Sequence, residues 1–321
     1  MELPYSLKNA IELRTKDIST AELIKTSEDI SNKYRNESGR GKRLIVKDIE
    51  ALVYSIVRMP ATFGSISSVL QYVLEKNDYD IKTVLDVGAG TGAATWAAME
   101  VIDNIESVTC IEREEAMMSL GKSLMEEEEF YNRISWINSD ARNMNLSQNY
   151  DLIIASYALN ELTESDRETV IKNLWKHTKK LLVIIEPGTP VAFSHIKSIR
   201  NNILAEGGNI IAPCPHSMEC PMEEDNWCHF SSRVSRTKLH KLLKGGEVPY
   251  EDEKFSYVAF SKDESQLCHG RILRHPIIES GRVTLQLCTE AGLETKMITK
   301  KQKDLFKTSR KAKAGDSFQI K

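Results

Sequence analysis

Two sets of residues in this 321-residue chain have types and spacings that can do chemistry. The first is Val84-Leu85-Asp86-Val87-Gly88-Ala89-Gly90-Thr91-Gly92, an apolar run broken by a carboxylate and followed by glycines at alternate positions. A strand leading into such a turn lets backbone approach a ligand at the carboxyl end of a parallel sheet, where open α/β sheets bind nucleosides and nucleotides. Alone, a glycine-rich turn is a weak signal. Two more carboxylates sharpen it. Glu112 closes the next strand-like run, where it can accept both hydroxyls of a ribose. Asp140, in Ser139-Asp140-Ala141, closes the third, where it can accept from an adenine amino group. Singly each is a loop charge; after three successive strands they point to one nucleoside.

The second set is Cys214, Cys220 and Cys228, which fall within Pro213-Cys214-Pro215-His216-Ser217-Met218-Glu219-Cys220-Pro221 and Trp227-Cys228-His229-Phe230. Cysteines kept for packing want apolar neighbours, as Cys110 has in Val108-Thr109-Cys110-Ile111. The clustered ones sit instead in a polar, proline-broken stretch of the kind that a metal can order. Their spacing lacks the tight C-x2-C of zinc ribbons and the C-x3-C-x2-C of radical enzymes, and thiolates suit zinc and iron-sulfur centres alike. The spacing leaves that choice open. His216 and His229 read as supporting groups more than as ligands.

The elements that must position these residues follow from periodicity. Up to about residue 80 the apolar residues recur on helical faces, over Leu23 to Tyr34, Ile49 to Val57 and Ser65 to Leu74. From Lys82, short β-rich runs (Thr83 to Val87, Ser107 to Ile111, Ile134 to Ile137, Asp151 to Ala155, Leu181 to Ile185) alternate with helix-length segments, which is the pattern of a parallel sheet with crossover helices. This gives an α/β fold divided into a helical region at 1–80, a Rossmann-like core at 81–190 and a cysteine-rich metal-binding insertion with a basic segment at 191–250. The final strands of the core sheet follow at 251–295, and a basic tail at 296–321. A net charge of −3 gives no global attraction to nucleic acid or membrane, so any polyanion site must be local. No run is long and apolar enough to span a bilayer. The N-terminus lacks the pattern of a secretory or transit signal, and the cysteines of such a chain are expected free, which together predict a cytoplasmic protein.

Over Lys82 to Glu186 the D-x-G-x-G-x-G motif and the acidic end of the second strand resemble class I methyltransferases. The resemblance implies S-adenosylmethionine as ligand, held by Asp86, Gly88, Gly90, Gly92, Glu112 and Asp140. Asn160 and Glu161, in Leu159-Asn160-Glu161, are further candidates for binding a substrate or the methionine moiety, or for capping the next helix. The Asn/Asp-Pro-Pro-aromatic motif of base-methylating enzymes is absent, and no residue stands out as a general base, so the catalytic residues are unassigned.

A second resemblance covers nearly the whole chain. Arg58-Met59-Pro60-Ala61-Thr62, the C-P-H-x3-C-P-x6-C-H-F pattern, Lys244-Gly245-Gly246 with 251–257, and Arg310-Lys311-Ala312-Lys313-Ala314-Gly315-Asp316 resemble the methyltransferase-like proteins of the mitochondrial small ribosomal subunit and their prokaryotic relatives. The resemblance implies a four-iron, four-sulfur cluster on Cys214, Cys220, Cys228 and a distant Cys288, with Cys268 the rival for the fourth place and zinc the rival metal. It also implies the small ribosomal subunit and its rRNA as partners, with no DNA and no membrane. Two basic segments suit such a partner. One is Arg233, Arg236, Lys238, His240, Lys241 and Lys244; the other is Lys296, Lys300, Lys301, Lys303, Lys307, Arg310, Lys311 and Lys313. The expected function is a ribosome-associated factor with a structural cluster. The alternatives are an active rRNA methyltransferase and a small-molecule methyltransferase with a zinc-held lid.

Overall fold

A computed structural model describes residues 1–37, 43–74, 79–223, 226–264 and 267–319. In chain order the helices are α1 (Tyr5–Arg14), α2 (Thr20–Glu37), α3 (Asp48–Val57), α4 (Met59–Leu74), α5 (Ala93–Val101), α6 (Glu115–Met125), α7 (Glu164–His177), α8 (Pro190–Ala205), α9 (Lys238–Lys244) and α10 (Lys303–Lys311). The strands are β1 (Thr83–Val87), β2 (Ser107–Glu112), β3 (Ile134–Asn138), β4 (Tyr150–Ser156), β5 (Thr178–Pro187), β6 (Asn209–Ala212), β7 (Phe230–Ser235), β8 (Tyr250–Ser261), β9 (Gly270–Ile272), β10 (Ile277–Glu279), β11 (Arg282–Thr289), β12 (Gly292–Thr299) and β13 (Ser317–Phe318). The chain divides into two compact units, Met1–Ile185 with Ser232–Glu253, and Glu186–Ser231 with Lys254–Lys321.

In the first unit β1 to β5 lie in the order β3-β2-β1-β4-β5. Parallel pairing sets Val84 beside both Val108 and Leu152, and Leu152 beside Leu181. Their near-continuous runs of Val, Ile and Leu are what burial on both sheet faces demands. β4 is buried along its whole length, whereas β3, at the edge, leaves Ile137 48% exposed. The Asp151 carboxylate fastens the start of the sheet, accepting from Lys82 N, Thr83 N and Thr83 Oγ1 at 3.0–3.1 Å. The helical region at 1–80 holds four helices, α1 to α4; periodicity had marked α2 to α4 but missed α1.

The second unit departs from the sequence expectation. The 282–288 run does not close the core sheet. β11 lies in a separate antiparallel sheet ordered β10-β11-β9-β13, with β12 on its other side, while β6 pairs antiparallel with β8. The predicted tail is also structured. β12, α10 and β13 occupy most of 292–318, and Phe306 and Phe318 pack with Ile272, Val283, Leu285, Leu287 and Ile298. Lysine content masked the amphipathic pattern of α10, whose Phe306 and Ser309 are buried three residues apart on one face.

Candidate functional site

At the end of β1 the chain makes a turn that only glycine adopts cheaply, with φ of 67° at Gly88, 57° at Gly90 and 86° at Gly92. Gly88 N and Ala89 N donate to Ile111 O at 2.9 and 3.0 Å, which fastens the turn to the end of β2. A Cβ on Gly88 would lie 2.5 Å from Ala158 Cβ, so the bare backbone there is needed first by the loop after β4. The turn opens onto a cleft lined by Gly88, Gly90, Glu112, Asp140, Tyr157 and Glu161 among others. Asp86, Gly92 and Asn160 do not line it. Asp86 lies behind the turn, fully buried. Its Oδ2 accepts from Thr95 N (3.1 Å) and Thr95 Oγ1 (2.9 Å), Oδ1 has no partner, and burial pushes its carboxyl up to about 7.

The two carboxylates expected to hold a nucleoside are already engaged. Glu112 Oε2 accepts from Gly90 N and Oε1 from Glu114 N, both at 2.7 Å; burial nevertheless raises its pKa. Each oxygen keeps a second lone pair that can take a ribose hydroxyl. Asp140 is clamped by Arg142, from Nε at 2.9 Å and Nη2 at 2.7 Å, and this bidentate pair holds its carboxyl down at about 2. Glu161, which the sequence offered together with Asn160, lines the cavity where Asn160 does not, and two residues without a sequence signal, Arg113 and Tyr157, line it too. Arg113 spans three carboxylates, reaching Glu114 at 3.3 Å, Asp140 at 3.8 Å and Glu161 at 3.1 Å. Glu161 is pushed up to about 7, chiefly by burial. Tyr157, with φ of 57°, donates to Ser65 Oγ at 3.0 Å. Only its place directly after Glu112 hinted at Arg113.

In the second unit Cys214, Cys220, Cys228 and Cys288 line one cavity of about 530 Å³. Cys268 is buried but does not line it. β11 delivers Cys288; the other three come from the 213–229 loop. That loop is less polar in place than its sequence reads: Met222 is buried with Phe193, Leu273 and Cys288, and Cys220, Trp227 and Cys228 pack against them. Its backbone, which no ladder satisfies, is tied by side chains. Lys197 donates to Met222 O (3.2 Å), Arg271 to Pro213 O (2.7 Å), Ser256 to Cys228 O (2.8 Å) and Arg274 to Trp227 O (3.0 Å). Burial raises the thiols of Cys214 and Cys228, and pushes Cys288 up to about 12. Such thiols stay protonated until something replaces the proton. His216 Nε2 lies 3.5 Å from Cys288 Sγ, and its Nδ1 has no partner. His229 is turned to Trp227, stacking on the indole at 5.0 Å. Among the described residues no three His, Cys, Asp or Glu side chains stand close enough together for a single ion. The donor set nevertheless fits a metal centre in chemistry, with four soft sulfurs around one space.

The first basic segment is partly paired, with Lys238 left exposed. Arg233 pairs with Asp252 at 2.7 Å, and Glu251 gathers Arg236 (2.9 Å), Lys244 (2.7 Å) and the buried His240 (3.3 Å). Glu251 and Asp252 on β8 thus offset part of this segment's charge within its own unit, and burial lowers the pKa of His240. The second segment stays open: Lys300, Lys301, Lys303, Lys307, Arg310 and Lys311 are exposed, with Lys307 facing Asp304 at 3.6 Å. No described helix is long and apolar enough to cross a membrane.

A parallel sheet with this strand order, a glycine turn after β1 and an acidic residue ending β2 defines a Rossmann-like α/β protein. Residues 48–319 match the family model described as mitochondrial small ribosomal subunit Rsm22, and the chain belongs to that family. The chain is 25% identical over 297 residues to the human mitochondrial ribosome assembly protein METTL17, covering 84% of this chain and 62% of that one. With the Saccharomyces cerevisiae mitochondrial ribosome assembly protein RSM22 it shares 22% over 329 residues, covering 68% and 52%. It therefore spans half to three-fifths of these relatives. Among solved structures it is similar to the N-methyltransferase NodS of Bradyrhizobium japonicum in complex with S-adenosyl-L-homocysteine, at 12% identity and a TM-score of 0.45, over 74% of this chain and 99% of that one. These relatives are mitochondrial, which overturns the cytoplasmic assignment. That assignment had rested on the first residues, and an N-terminal pattern is a poor witness to compartment.

Proposed function

We propose that this chain is a methyltransferase-like ribosome-assembly factor with two bound groups. S-adenosylmethionine, or its demethylated product, binds in the glycine-turn cavity, and a four-iron, four-sulfur cluster binds among Cys214, Cys220, Cys228 and Cys288. The chain contacts small-subunit rRNA. The observation that carries the reading is that Cys288, from β11, lines the same cavity as the three clustered cysteines. A multi-atom cluster suits four thiols that line one space without three of them approaching a single point, more than a single zinc ion does. When bound, a centre closed by four thiolates holds the loop to the sheet and offers no open metal position. The exposed cations of 300–311 supply phosphate contacts that position RNA without reading its sequence.

One observation favours a second reading, an active rRNA methyltransferase. Glu161 lines the cavity with its carboxyl pushed up to about 7, where a general base is best poised. Labelled S-adenosylmethionine and naked small-subunit rRNA, given to the purified protein, separate the two. The expected result is saturable uptake of both with no label in the RNA. RNA affinity should fall with salt, and less steeply in a Lys303→Glu/Lys307→Glu/Arg310→Glu variant. Label transfer that disappears in Glu161→Gln would establish the second reading. An RNA affinity indifferent to the three reversals would remove α10 from the interface.

A further inference from the structure

Arg200, on α8, is 3% exposed and lines the cysteine cavity. Its Nη2 donates to His216 O at 3.1 Å and to Met218 O, both in the loop between Cys214 and Cys220, and its Nη1 donates to Asn201 Oδ1 at 3.2 Å. Its charge lies close enough to Cys214 to work against the burial that raises that thiol, while Nε has no partner. Among the described residues no carboxylate pairs with Arg200. A guanidinium keeps its charge, and a buried charge with nothing opposite it is costly. Carbonyls and an amide satisfy hydrogens but bring no countercharge. Neutral thiols bring none either; thiolates on a metal centre do. Four thiolates around a core of two positive charges, zinc or an oxidised four-iron, four-sulfur core, leave a net negative centre.

We propose that Arg200 is the charge-balancing and positioning residue of the cysteine cavity, countering a net negative metal–thiolate centre with its cation while its hydrogen bonds hold the Cys214–Cys220 loop. The proposal rests on the metal-centre reading above. It separates charge from shape: a lysine at 200 keeps the cation and loses the planar fork, and a glutamine loses the cation.

The test uses the full chain purified without oxygen, as wild type, Arg200→Lys and Arg200→Gln. Iron and sulfide content, the midpoint potential in a dithionite titration with mediator dyes, and the rate of bleaching by an iron chelator are measured. The Arg200→Gln potential should move negative, because the reduced centre carries one more negative charge and has lost its neighbouring cation. Its bleaching should quicken by about tenfold, the scale on which outer-shell partners act. Arg200→Lys should keep a potential near wild type and bleach at an intermediate rate. An unchanged potential in Arg200→Gln overturns the proposal. So does equal loss of the centre from both variants, which would leave Arg200 only its loop-tying bonds. Arg200→Lys loaded beside an empty Arg200→Gln supports it. If the wild type takes up zinc, the same order of variants is expected in zinc affinity by chelator competition. A wild type that binds neither metal sinks the underlying reading, and the proposal with it.

Discussion

The carboxylates that line the glycine-turn cavity are already engaged: Glu112 by two amides, Asp140 by Arg142, and Glu161 by Arg113. Around the cysteines the reverse holds. Three thiols are raised by burial, and His216 Nδ1 and Arg200 Nε lack partners. The first cavity is preorganised by backbone and can stand empty; the second, on the metal-centre reading, is a set of side chains that a metal core would complete by replacing the thiol protons. Loss of a ligand should therefore leave the first unit standing, whereas loss of a metal should loosen the second.

The largest expected effect tests that asymmetry. Cys228→Ser should remove all visible absorbance, together with the iron and sulfide, and open the 213–229 loop to protease. The thermal shift given by S-adenosylhomocysteine should remain. Cys268→Ser should stay loaded. A Cys228→Ser protein as protease-resistant as wild type would show that the loop's apolar contacts and carbonyl ties suffice, and the contrast between the cavities would collapse.

A smaller effect concerns Asp86. Its carboxyl is pushed from 3.8 to about 7 in the folded protein, so folding favours its neutral form. The stability it contributes is present below pH 4 and is lost as pH rises toward 7, at about 1.4 kcal/mol per unit. Between pH 5 and 8 the wild type should thus lose roughly 2–3 kcal/mol relative to Asp86→Asn in urea unfolding. Glu161 titrates in both proteins and cancels. Parallel pH profiles would mean that Asp86 is ionised in place and that its unpartnered Oδ1 has found a donor.

The smallest effect is steric. Gly88→Ala places a Cβ against Ala158 at a positive φ, which should cost about 1–3 kcal/mol and abolish the ligand-induced thermal shift. Adding Ala158→Gly should restore part of the shift. If the double variant stays blind to ligand, the space beyond Gly88 is needed by the ligand itself and not only by the loop after β4.

Much of the first unit was legible in the sequence because its strands are buried on both faces and read as apolar runs between turn signals. β1, β2, β4 and β5 fall where those runs lie. What escaped was side-chain pairing across distance. Nothing local to Asp140 says that Arg113 also reaches it, and nothing local to Arg236 and Lys244 announces Glu251. In the second unit the cysteines were visible as residue types. The sheet that carries Cys288 was not, because β9, β10 and β13 are only two or three residues long and show no period.

The two units are interleaved along the chain: the second begins at Glu186, the path returns to the first for Ser232–Glu253, and the second resumes at Lys254. Neither can be excised as one uninterrupted stretch of its own sequence, and a single nick at any of the three crossings releases no whole unit. The order of synthesis follows as well. Cys214, Cys220 and Cys228 emerge before the return to the first unit and Cys288 only after it. On a ribosome the cysteine cavity thus cannot gain its fourth wall until every residue of the glycine-turn unit has been made, so a closed cavity marks a chain translated at least to β11.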